Sequence, residues 1–190
     1  FDFLNRATPK HTVSIPNELK YLKDYYKYND LNPFKTFYNY YRFGFTSSQI
    51  YSVLDKEKDA LIAGISCNFT PYYQNSLEIA QIIKRINPKI YTVLGGSHVS
   101  CAPESVLNNP NVDLVILKEG EYRFLTLIQL LIEHNFNLEQ ILSKLHVIDS
   151  IGFKHNNKLI ITNNKEFINQ IEQHSLDELP YPNLEFENTQ

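Results

Sequence analysis

The chain predicts a doubly wound α/β fold, a mostly parallel sheet with helices on both faces, and three observations carry that expectation. Apolar runs of strand length alternate with amphipathic stretches of helical spacing from Ala60 to Ile132. The runs are too continuously apolar to leave a wet face, the mark of strands covered on both sides. The 190 residues are 43% hydrophobic and 21% charged, the balance of one soluble globular domain with a short appendage. A disordered tail or a collagen-like fibre is excluded.

Ala60-Leu61-Ile62-Ala63-Gly64-Ile65-Ser66 predicts a strand buried on both faces. Leu77, Ile79, Ala80, Ile82, Ile83 and Ile86 then recur at helical spacing, and Asn87-Pro88 ends the helix because proline disfavours helical geometry in the residue before it. The unit repeats. Ile90 to Leu94 runs into Gly95-Gly96, a short helix covers about Pro103 to Asn108, and Val112 to Leu117 is the next apolar run. Phe124, Leu125, Leu127, Ile128, Leu131 and Ile132 build an amphipathic helix that runs out near His134-Asn135. Such alternation implies parallel strands joined by right-handed crossovers.

Upstream, Ile15 to Tyr26 predicts a helix, Tyr26 to Asn29 a short edge strand and Ser47 to Leu54 another helix. Phe1 to Ser14 holds no apolar run, so the first strand such a sheet opens with is expected to be missing or cut away. Beyond Ile141 the rhythm changes. Ser150 to His155 and Lys158 to Thr162 flank Asn156-Asn157, residues that tolerate positive φ, and predict a β-hairpin. Leu179-Pro180-Tyr181-Pro182-Asn183 reads as a stiff linker. The expected organisation is an α/β domain over 1–145 and a hairpin with linker over 146–190.

No stretch reaches the ~18 apolar residues of a membrane span, and no N-terminal segment reads as a secretion signal, so the expected compartment is the cytoplasm. Eighteen basic against 21 acidic residues, a net charge of -3, supply no basic face for nucleic acid. Cys67 and Cys101 are too few for a disulfide framework and are expected as free thiols. The chain contains no methionine and Phe1 to Arg6 reads like mid-protein sequence, which suggests a fragment of something longer.

In open α/β sheets ligands bind outside the carboxyl ends of the strands. Three segments are expected there: Ser66-Cys67-Asn68-Phe69-Thr70, Gly95-Gly96-Ser97-His98 and Lys118-Glu119-Gly120-Glu121-Tyr122. Gly95-Gly96 either removes two side chains where a ligand passes the backbone or serves a turn that needs positive φ.

These residues carry a resemblance. Asp59 to Ser66, Val93-Leu94-Gly95-Gly96-Ser97-His98, Ala102 to Leu107, Asn111 to Ile116 and Glu119-Gly120-Glu121, in that order, resemble the N-terminal cobalamin-binding domain of B12-dependent radical SAM enzymes. Leu179-Pro180-Tyr181-Pro182 is similar to the linker that precedes the radical SAM barrel in that family. The likeness spans about residues 15 to 185 and implies a flavodoxin-like sheet with a corrin over the strand ends and its nucleotide tail in a groove. Ser66, Gly95 and Gly96 match the serine and paired glycines lining that tail, and Glu119-Gly120-Glu121 matches a loop beside it. Asn68, Phe69, Thr70 and Tyr72 would face the corrin, with Cys67, Ser97 and His98 in the same loops. The resemblance implies that methylcobalamin or cob(I)alamin works beside a substrate radical, often in methyl transfer. S-adenosylmethionine and a [4Fe-4S] cluster would belong to the full-length protein, on a downstream radical SAM domain in cis.

Two motifs depart from that pattern. DxHxxG, whose histidine binds cobalt from below, is absent, and so is the CxxxCxxC that holds the cluster. The chain is therefore not expected to run radical chemistry by itself. His98 is weighed as a cobalt ligand against a hydrogen-bonded loop histidine, the commoner outcome. Cys67 beside His98 raises an activated thiolate as a further reading. Glu119 and Glu121 read as loop-positioning residues before paired acid-base groups. No phosphoacceptor aspartate or Gly-rich phosphate loop is present, so the alternative is a flavodoxin-like module that binds another ligand or a protein, without cobalamin. On the cobalamin reading, Gly96→Val is expected to abolish binding with the fold intact.

Overall fold

A computed structural model describes residues 11–15, 17–21, 40–156, 158–172 and 178–180. The chain divides into two compact units, Phe1–Lys56 and Glu57–Gln190.

In the first unit, β1 (His11–Val13) pairs antiparallel with β2 (Tyr40–Arg42). This short ladder lies where the sequence shows no apolar run. Only the front of the expected Ile15–Tyr26 helix is described, as a 3-10 turn over Asn17–Leu19. The expected strand Tyr26–Asn29 falls outside the described residues. Helix α1 (Ser47–Leu54) begins where expected, because Thr46 and Gln49 form a reciprocal cap. The Thr46 hydroxyl accepts from Gln49 N–H, and Gln49 Oε1 accepts from Thr46 N–H at 2.8 Å.

The second unit is built on strands β3 (Ile62–Ser66), β4 (Tyr91–Gly95), β5 (Leu114–Ile116), β6 (Ile151–His155) and β7 (Lys158–Ile161), ordered β3-β4-β5-β6-β7. The first three are mutually parallel, and the hairpin β6–β7 continues the sheet antiparallel. Asn156 takes the positive φ its turn requires, +50°. The helices are α2 (Tyr73–Ile86), α3 (Ser97–Cys101), α4 (Pro103–Leu107), α5 (Glu121–Glu133), α6 (Leu138–Ile141) and α7 (Lys165–Glu172). Helix α2 stops at Asn87, which is already extended ahead of Pro88.

Alternate residues of each strand feed two cores. Val93, Leu114, Ile116, Ile151 and Phe153 pack with Leu127 and Leu131 of α5, Ile141 of α6 and Phe167 of α7. The opposite face carries Leu94 and Val115, and α4 covers it. A Cβ on Gly152 would meet Val115 and the Leu107 side chain at 2.5 and 3.0 Å. Both β–α–β crossovers advance in the same direction along the sheet, so right-handed connections put α2 on that face too.

One expectation needs correction. The strand at Ile62–Ser66 is not buried on both faces: Gly64 and Ser66 are exposed, and Leu61 just before it is 53% exposed. It pairs with β4 alone and lies at the sheet edge, so nothing among the described strands covers its other side. Its apolar sequence is what a central strand would need.

Candidate functional site

Parallel pairing brings the carboxyl ends of β3, β4 and β5 together, with Ser66 opposite Gly95 and Gly95 opposite Ile116. The three segments singled out in the sequence therefore converge. Cys67 N–H donates to Gly95 C=O at 2.7 Å and His98 N–H to Cys67 C=O at 3.1 Å, which stitches the first two loops together. Ser100 joins the third. Its hydroxyl donates to Gly96 C=O and accepts from Lys118 N–H, at 3.1 and 2.8 Å.

The two adjacent glycines differ in kind. Gly96 sits at φ +115°, and a Cβ there would run into Asn68 Oδ1 and lie 2.8 Å from the Cys67 carbonyl oxygen. The fold alone demands glycine at that position. Gly96→Val would break the turn itself, so it cannot leave the fold intact while removing a ligand. Gly95 has no positive φ, and a Cβ on it would meet only Ile116 C=O at 3.6 Å. Gly120, at φ −88°, would meet only an Ile116 methyl at 3.9 Å. Nothing in the packing requires glycine at either place. Each could carry a Cβ at ordinary contact distance from Ile116, so the pair forms a side-chain-free cradle beside that residue that suits a ligand tail lying along the backbone.

Ser97 and His98, expected in a loop, open the short helix α3, with exposed Ser97 first. His98 is 5% exposed and both ring nitrogens are engaged: Nδ1 lies 3.0 Å from Thr70 Oγ1 and Nε2 3.2 Å from Ser105 Oγ. Ser105 gives its own proton to Ala102 C=O at 2.7 Å. By elimination Nε2 donates to Ser105, and in the neutral ring Nδ1 then accepts from Thr70. The Tyr73 ring stacks on the imidazole with centroids 4.8 Å apart. The histidine is thus a clamp on the loop that carries Phe69 and Tyr72. Those two rings meet edge to face and are 67% and 53% exposed, apolar area presented outward instead of to a core.

Cys67 is buried, and burial pushes its thiol up, only partly offset by a hydrogen bond with Ser76. A protonated, enclosed thiol whose neighbouring imidazole is occupied is no nucleophile. Cys101 is free and exposed. Ser66 offers its carbonyl to the Ser76 hydroxyl at 3.4 Å. Glu119 and Glu121 are exposed, Glu121 as the first residue of α5. Among the described residues no three His, Cys, Asp or Glu side chains gather as a metal site, and no helix is long and apolar enough to cross a membrane.

Lys118 lies in a segment the sequence singled out, whereas sequence reasoning missed the other residues that hold this surface: Ser76, Ser100, Ser105, Arg123 and Asp149. One was signalled. Arg123 shares the buried i, i+4, i+8 stripe of α5 with Leu127 and Leu131, and a lone cation on an apolar stripe requires a buried acceptor. That acceptor is Asp149, 1% exposed, whose Oδ2 lies 3.1 Å from Arg123 Nη2 and 3.2 Å from Lys118 Nζ. Burial alone would raise the Asp149 carboxyl, but hydrogen bonds from Ser150, Asn164 N–H, Arg123 and Lys118 together lower it to about 2.

Residues 41–128, the stretch that contains all three loops, match the family model described as the B12 binding domain. The match supports a cobalamin-binding domain. Two relatives are methyltransferases by name. The chain is 33% identical over 84 residues to cytidylyl-2-hydroxyethylphosphonate methyltransferase of Streptomyces wedmorensis, covering 44% of this chain and 16% of that protein. It is 28% identical over 141 residues to the uncharacterized methyltransferase PH0819 of Pyrococcus horikoshii, covering 74% of this chain and 28% of that protein. The matched stretch thus spans under a third of either relative.

Proposed function

We propose that the chain is the cofactor-holding part of a B12-dependent radical SAM enzyme that carries out methyl transfer or a related radical reaction. The open positions at Gly95 and Gly120 carry this reading, since the fold needs neither glycine and an extended tail needs both. Ser66, Gly95 and Gly96 line the tail, with Glu119-Gly120-Glu121 beside it. Asn68, Phe69, Thr70 and Tyr72 face the corrin. His98, with both nitrogens occupied, holds Thr70 and leaves cobalt to another ligand or to none. When bound, cobalamin supplies the reactivity, and these residues supply position and shielding. S-adenosylmethionine and the [4Fe-4S] cluster belong on this reading to a barrel domain following the linker at Leu179-Pro180. The methyltransferase names of both relatives support the reaction class.

The test is titration with hydroxocobalamin, followed by gel filtration and a visible spectrum of the protein fraction. Corrin absorbance is expected to comigrate, and the band positions report whether the dimethylbenzimidazole base has left cobalt. Gly95→Val is expected to weaken retention by about tenfold or more, as a side chain fills the tail cradle, with the melting temperature nearly unchanged. Failure to retain corrin both in this chain and in one extended at both ends would overturn the proposal in favour of a module without cobalamin. Iron and cluster absorbance in the extended protein test the radical SAM part separately.

A further inference from the structure

Lys118 opens the loop that leads to Gly120 and is held at φ 61°, a left-handed conformation that an L-residue with a Cβ resists. Ser150, across from it, is left-handed too, at φ 58°. Outliers at a site persist only where their surroundings over-determine them. Here the restraints can be named. Leu117 N–H donates to Ser150 C=O at 3.0 Å, Lys118 N–H to Ser100 Oγ, and Lys118 Nζ to Asp149 Oδ2. Arg123 grips the next residue through Nη1–H to Glu119 C=O at 2.5 Å, and holds Asp149 through Nε–H to its carbonyl and Nη2–H to its carboxylate. Ser150 Oγ also donates to Oδ2, at 2.6 Å, and Asn164 N–H to Oδ1 at 3.1 Å.

We infer that Asp149, which lies outside the glycine cradle, is a positioning residue for it. By drawing in Lys118 Nζ and Arg123 it keeps Lys118 left-handed and the Glu119 carbonyl turned toward Arg123, and so keeps Gly120 beside Ile116. The link to cobalamin rests on the function proposed above, whereas the hold on the loop is a property of the chain alone. The inference separates from a role in which Asp149 merely neutralises Arg123. If its task is to hold a strained backbone, a residue without strain at position 118 makes it dispensable for the order of the loop, while the stability it gives by pairing with buried Arg123 is still lost.

The experiment measures amide hydrogen exchange over residues 117–121 in the unliganded chain, together with the hydroxocobalamin dissociation constant. Asp149→Asn and Lys118→Met are each expected to raise exchange there about tenfold and to weaken binding by a smaller factor, because affinity falls only as the fraction of loop in the competent form falls. Adding Lys118→Gly to Asp149→Asn is expected to return both readouts to within about twofold of the natural chain, since glycine takes positive φ without restraint. A double variant no better than Asp149→Asn, or unchanged exchange in Asp149→Asn, overturns the inference. Should Asp149→Asn not fold, the two variants at the exposed Lys118 side chain decide: loosening by Met but not by Gly supports it, and equal effects overturn it. If the natural chain binds no hydroxocobalamin, the proposed function falls and the exchange series alone decides the hold on the loop.

Discussion

Two aspartates stand at opposite ends of the sheet and do similar work on very different backbone. Asp113, at the amino end, accepts on Oδ2 from Lys84 Nζ at 2.6 Å, Thr92 N–H at 2.7 Å and the Thr92 hydroxyl at 3.0 Å. Its partner Thr92 lies in ordinary extended strand. Asp149, at the carboxyl end, binds two cations, one of them as buried as itself, and the residues beside it, Lys118 and Ser150, are left-handed. One carboxylate seals a regular strand start that water still reaches. The other holds irregular backbone that regular hydrogen bonding cannot hold, and it does so beside the cradle. The buried ion pair therefore marks the end of the sheet where the chain departs from regular structure.

Removing each carboxylate tests this contrast most strongly. Asp149→Ala is expected to cost about 3–5 kcal/mol, because it strands a buried guanidinium, whereas Asp113→Ala should cost about 1–3 kcal/mol, since Lys84 can turn to solvent. Urea unfolding of both variants at neutral pH checks the difference, and equal losses would erase the distinction. Acid sharpens it next. A carboxyl whose pKa falls on folding contributes stability that is complete above its unfolded value of about 3.9 and is lost as pH drops through its folded value. With Asp149 at about 2, roughly 2 kcal/mol should disappear between about pH 5 and pH 2. Unfolding curves across that range should show the loss in the natural chain and a shallower one in Asp149→Asn. The glycines come last. Gly96→Ala should cost about 1–3 kcal/mol for its glycine-only backbone geometry (φ 115°, ψ 179°) alone. Gly95→Ala should stay within about 0.5 kcal/mol. Thermal melts of the pair check whether only the first is a requirement of the fold.

Much of the second unit was legible because its signals are local. Apolar runs placed β3, β4 and β5 to within two residues, Asn87-Pro88 ended α2, and Asn156 turned the hairpin. The convergence of the three loops followed from parallel pairing alone. Other features were out of reach of periodicity. The edge position of Ile62–Ser66 was invisible, because an apolar run announces burial without saying whether a neighbour is present to supply it. The short strand His11–Val13 has no pattern of its own and exists through its pairing with Tyr40–Arg42. The helix at Ser97–Cys101 was hidden behind a glycine pair that reads as a loop. Gly95 and Gly96 look alike on paper, and only the approach of Cys67 and Asn68 shows which of them the fold demands.

By itself, then, the sequence determined the alternation of strand and helix, the hairpin and the three loops at the strand ends, since each follows from the conformational preferences and apolar spacing of neighbouring residues. The tertiary structure decided which glycine the fold can spare, that His98 is a clamp, and that Arg123 finds Asp149 twenty-six residues away. Those outcomes depend on which backbone atoms arrive beside a given side chain. That is settled by packing between segments distant in the chain, where the cost of an unpaired buried charge or a crowded Cβ acts with full force.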